Sequence, residues 1–83
     1  MLKDIIEYYP DETFLIADGF DSAIIGVEIQ SMRLIYSVTV CLEILITEDE
    51  MSLEDAIEHF EYNVRGSYVG EKTPIWCEDN YLL

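Results

Sequence analysis

Apolar residues open the chain at helical spacing. Leu2, Ile5, Ile6 and Tyr9 stand at i, i+3, i+4 and i+7, which predicts a short amphipathic helix stopped at Pro10. A helix this short lies near the minimum length and must be held by packing. The pattern then changes. Thr13 to Ala17 and Ala23 to Ile29 are rich in Phe, Ile and Val, and Asp18, Gly19, Phe20, Asp21 and Ser22 lie between them: a strand, a turn and a strand. Gln30, Ser31 and Met32 make a second connection and Arg33 to Tyr36 a third strand. An antiparallel three-strand meander is the simplest topology.

From Val38 to Thr47 propensity and spacing disagree. Val, Thr and Ile favour a strand, but Val38, Cys41, Leu42, Leu45 and Ile46 share one helical face, and spacing decides for a helix. Val40 and Ile44 then form an apolar pair off that face. The next element carries its own start and stop signals. Ser52 is placed as N-cap with Asp55 three residues on, and Gly66 follows Arg65 as the stop. Its predicted core stripe is Leu53, Ala56, Ile57, Phe60 and Val64. With only Asp49, Glu50 and Met51 between them, the two helices should form an antiparallel hairpin.

Pro74 precedes Ile75, Trp76 and Cys77, a last short strand beginning at a residue that suits a strand start or edge. Tyr81, Leu82 and Leu83 follow as a tail able to cover apolar surface. The expected fold class is α+β: a small antiparallel sheet, a three-strand meander plus a short C-terminal strand, with a helical hairpin on one face and a short N-terminal helix. Residues 1–83 should form a single domain, since no repeat, low-complexity run or linker divides them.

Charge adds a constraint that the pattern alone lacks. The chain holds 18 Asp and Glu against 4 Lys and Arg, a formal charge of −14 on 83 residues of which 51% are hydrophobic. The apolar half sets it apart from a disordered acidic tail. So negative a body is a poor direct ligand for nucleic acid, whose binding needs Lys and Arg against phosphates, and it disfavours anionic membranes. A basic protein, or one whose groove normally holds nucleic acid, is steered toward it instead. Solubility alone also accounts for an acidic surface.

Glu48, Asp49, Glu50, Glu54, Asp55, Glu58 and Glu61 gather at the helix junction and along the second helix. Such a run is ordinarily a solvated face. Yet Glu54 and Glu58 are a like-charged i, i+4 pair, which costs a few tenths of a kcal/mol, and only Glu61 and Arg65 stand at favourable spacing. Glu50, Glu54, Asp55, Glu58 and Glu61 are therefore the candidate acidic docking face. Aromatic residues exceed what so small a core buries, and Tyr62, Tyr68 and Trp76 form a second candidate surface, for a partner or for a homodimer.

Other chemistry is weakly signalled. Asp18 and Asp21 flank a glycine turn that oxygen-loving cations could use, but Asp-Gly is an ordinary turn former and no alternating ligand run follows. His59 has no second histidine or nearby cysteine to complete a metal or triad arrangement and reads as a boundary residue. Cys41 falls on the core face with no basic neighbour in sequence to activate it. Cys41 and Cys77 lack zinc spacing, and a disulfide between them stays open. P-loop, dinucleotide, G-x-S-x-G and HExxH patterns do not occur. No cofactor, metal or catalytic residue is assigned, and enzyme activity is the least supported class. The acidic first turn and the lack of a long apolar run at the N-terminus argue against a signal peptide or membrane span, pointing to a cytoplasmic protein with reduced thiols.

The strings GFDSAIIGVE (Gly19 to Glu28), EDAIEHFEYNV (Glu54 to Val64) and GSYVGEKTPIW (Gly66 to Trp76) resemble a group of small uncharacterised proteins encoded by tailed bacteriophages and prophages. The resemblance runs from Asp18 to Trp76 and is most specific in the Y-V-G-E-x-T-P-I segment. It implies a helix at Cys41 to Ile46 and a context, an accessory phage protein in a bacterial cytoplasm, but no active-site residues.

Overall fold

A computed structural model describes residues 1–80. Tyr81, Leu82 and Leu83, the tail expected to cover apolar surface, lie outside the described residues. The elements are α1 (Leu2–Tyr8), a 3-10 turn (Asp21–Ala23), β1 (Ile24–Glu28), β2 (Arg33–Ser37), α2 (Val38–Thr47), α3 (Leu53–His59), a π-helical continuation (Phe60–Arg65) and β3 (Ile75–Cys77). The chain is α+β, with a helical hairpin and an N-terminal helix around a small sheet.

The sheet is mixed, which corrects the all-antiparallel expectation. Its order is β1-β2-β3; β1 pairs β2 antiparallel, and β3 runs parallel to β2 with Ile35 opposite Ile75 and Ser37 opposite Cys77. The whole helical hairpin separates β2 from β3, and a crossover of that length is what a parallel pair requires. Thr13–Ala17 is the second correction. It is not a strand: the stretch has no ladder partner, and the outer edge of β1 is left unpaired by it. Tyr36 fastens this stretch instead: its hydroxyl oxygen accepts the Ala17 N–H at 2.8 Å. Tyr9 meets Phe14 edge to face below it.

β2 leads straight into α2. Ser37, fully buried, caps the helix by accepting the Val40 N–H at 3.0 Å, and the spacing argument for a helix holds against β propensity. Val38, Cys41 and Leu45 are buried as expected. α3 starts at the expected cap, Ser52, which accepts the Asp55 N–H at 3.2 Å.

The core stripe of the second helix is narrower than expected. Ala56 and Phe60 are buried and Val64 partly so, but Leu53 and Ile57 are 58% and 44% exposed. Burial therefore follows a four-residue repeat, which drifts about 40° per step around an α-helix. The switch to wider i→i+5 turns from Phe60 takes up this drift. Gly66 ends the element in a right-handed conformation, φ −73°, rather than as a left-handed cap. A Cβ there would stand 3.1 Å from the Glu61 carbonyl oxygen, so the glycine serves close approach.

Candidate protein-binding surface

The acidic face stands where helical spacing placed it. Glu50, Glu54, Asp55, Glu58 and Glu61 are all exposed. Glu50 sits at the junction itself with φ +56°, turning the chain so that the Met51 N–H donates to the Leu45 carbonyl at 3.2 Å. Glu54, Asp55, Glu58 and Glu61 line one broad concavity with Ile57 and Tyr62. Asp55, Glu58 and Tyr62 also line its neighbour, with Met51, His59 and Asn63.

The four cations leave this face almost uncompensated. Arg33 donates from Nε to the Thr73 carbonyl at 2.6 Å, and Lys72 donates from Nζ to the Ser31 carbonyl at 2.8 Å, so both tie the β1–β2 turn to the segment before β3. Arg65 pairs with Glu61 at 3.1 Å, the one ion pair among the described residues, and it is solvent-exposed. Lys3 lies on α1.

The aromatic candidates separate into different environments. Tyr62 is 79% exposed and stands among the acids, whereas Tyr68, 78% exposed, lies in the loop beyond Gly66. Trp76 is half-buried against the core: its ring packs on Tyr36 at 5.1 Å and edge-on to Phe60 at 5.4 Å. Its indole N–H is buried without a partner. Trp76 also borders a cleft of about 380 Å³, lined chiefly by Leu15, Ile16, Ala17, Val64, Val69 and Pro74, with Asp18, Asn63 and Ser67 as its polar members. Sequence reasoning missed this cleft because Leu15 and Ile16 were assigned to a strand.

A polar node at the start of α2 was missed as well. Asp79 reaches back to accept the Thr39 N–H at 3.4 Å. The Ser37 hydroxyl, then Thr39, holds its carboxyl below the usual aspartate range. Cys41, fully buried one turn on, has its thiol pushed up to about 12 by burial and then by the Asp79 carboxylate. It is a packing residue rather than a nucleophile. Ser37 as N-cap was readable from the sequence; Asp79, forty residues away from Thr39, was not. Both cysteines are free.

The other candidates take local roles. Asp18 and Gly19 form a turn with Gly19 at φ +89°, and Asp21 opens the 3-10 turn. Among the described residues no three His, Cys, Asp or Glu side chains are grouped as metal ligands. His59 is half-buried at the helix boundary, its Nδ1 3.3 Å from the Asn63 amide nitrogen. No helix of the described residues is long and apolar enough to cross a membrane. No protein-family model, curated protein or solved structure matches this chain.

Proposed function

We propose that the chain is a non-enzymatic binding protein whose acidic helix face engages a basic or nucleic-acid-binding host protein and inhibits it by occupying the place of nucleic acid. One observation carries this reading. Two of the four cations are spent on backbone carbonyls and a third on Glu61, while Glu50, Glu54, Asp55 and Glu58 stay exposed and unpaired among the described residues. Clustered negative charge without local cations steers positively charged surfaces and repels phosphates. The phage-protein resemblance supports a context, an accessory phage protein acting in the bacterial cytoplasm.

The test is capture of partners from a bacterial lysate, followed by competition. A captured protein should be released as NaCl rises toward about 0.5 M, where the Debye length falls to about 4 Å. Nucleic acid should displace this chain from it, and Glu54→Lys, Glu58→Lys and Glu61→Lys together should abolish capture. Capture that ignores both salt and the triple reversal would remove the reading.

A second reading is favoured by the apolar cleft beside Asn63 and Val64 of the π-helical element. Leu15, Ile16 and Val69 are 37%, 43% and 56% exposed around the apolar cleft. An interaction module using this cleft, or a homodimer, would need the acidity only for solubility, and its association would be insensitive to salt.

A further inference from the structure

We propose that the α3 face grips a Lys/Arg-rich segment of a protein partner around the projecting ring of Tyr62; this rests on the acidic-face reading above and names its contact chemistry. Tyr62 is one of the most exposed large side chains of the described residues, at 79%, and it borders two adjacent concavities at once. Asp55 and Glu58 line both of them. An aromatic face flanked by carboxylates is a receptor for cationic side chains: the ring attracts the cation through its quadrupole and the carboxylates supply the counter-charge.

The apolar neighbour favours long basic side chains over small inorganic cations. Ile57, 44% exposed, lines the broader concavity together with Glu54, Asp55, Glu58, Glu61 and Tyr62. Lys and Arg carry methylene stems that lie on such surface while their heads stay on the charges. Charge also rules between occupants. A second copy would bring the same acids against themselves, and a phosphate backbone would meet only negative potential. Arg65, the nearest cation on the element, is engaged by Glu61.

The full chain titrated with a fluorescein-labelled peptide of alternating Arg and Leu, at low salt, separates this site from attraction to bulk charge. Asp55→Asn with Glu58→Gln should weaken binding about tenfold, while Asp11→Asn with Glu12→Gln, the same loss of charge elsewhere, should change it less than about twofold. Tyr62→Ala should weaken binding about threefold and Tyr8→Ala, equally exposed on α1, should not. Unchanged circular dichroism and melting of each variant establish that the fold is retained. Equal losses from both charge pairs, or no effect of Tyr62→Ala, would overturn the site while leaving the acidic-binder reading standing. Absence of any binding by the basic peptide would overturn both, as would sedimentation showing a dimer in which Tyr62 becomes protected.

Discussion

The Tyr36 hydroxyl accepts the Ala17 N–H at 2.8 Å across nineteen residues of sequence. The bond joins the central strand, where the Tyr36 ring is fully buried, to a stretch that no strand partner holds. Tyr36→Phe keeps the ring and strands the amide. An unsatisfied buried donor costs about 1–3 kcal/mol, and Ala17 is part-buried, so the unfolding free energy should fall by about 1 kcal/mol, seen as a lower urea midpoint with an unchanged m-value. The Ala17 amide should exchange faster in the variant than in the wild type. Unaltered protection at Ala17 would mean that the bond does not hold the segment.

Alkaline stability should be limited by Cys41. Its thiol is pushed from 9.0 to about 12, chiefly by burial, and burial raises Tyr36 as well. A group whose pKa is raised in the folded state binds its proton more tightly there. Its contribution is complete below the unfolded value and lost as pH climbs through the folded one. Stability should therefore fall between pH 9 and 12, with Cys41 accounting for at most about 4 kcal/mol at 1.36 kcal/mol per pKa unit. Urea midpoints of wild type and Cys41→Ala across this range check it, the variant being less stable at neutral pH but flatter in slope.

Acid acts through Asp79 and Glu28. The Ser37 hydroxyl lowers Asp79, and the Ser31 hydroxyl followed by the Gln30 and Ser31 amides lowers Glu28. A depressed carboxyl stabilises the fold above its unfolded pKa and loses that contribution as pH falls through the folded value. Asp79→Asn should flatten the acid limb of the stability curve below about pH 4. An identical limb in the variant would disconnect Asp79 from the cap of α2.

The burial of the second helix predicts unequal truncations. Phe60→Ala should cost about 3–5 kcal/mol, whereas Leu53→Ala and Ile57→Ala, at exposed positions, should cost less than about 1 kcal/mol each. Thermal melts of the three variants distinguish this from the five-residue stripe that helical spacing alone suggests.

Salt should stabilise the protein. With a formal charge of −14 and one exposed ion pair among the described residues, screening removes far more repulsion than attraction. The melting temperature should rise from low to moderate NaCl, and a fall would show that attractive pairs dominate. Glu50→Asn adds a local check: it removes a charge and places at φ +56° a residue that tolerates the left-handed region, so it should raise stability by up to about 1 kcal/mol.

Local pattern by itself determined α1, α2, the capped start of α3, β1, β2 and β3, because each rests on near-neighbour spacing, a capping side chain or a proline that acts within a few residues. It also determined that the acids would crowd one helix, since side-chain direction follows from helical period alone. The tertiary structure decided where elements met. It gave β3 the free edge of β2, in parallel, and it kept Thr13–Ala17 out of the sheet, held by the Tyr36 hydroxyl instead of a ladder. It turned Leu53 and Ile57 outward, because only a four-residue repeat of Ala56, Phe60 and Val64 meets the core. It also drew Arg33 and Lys72 onto carbonyls forty residues away, leaving the charge of the helix face unneutralised. Those relations join residues far apart in the chain, and neither spacing nor composition encodes which distant groups will become neighbours.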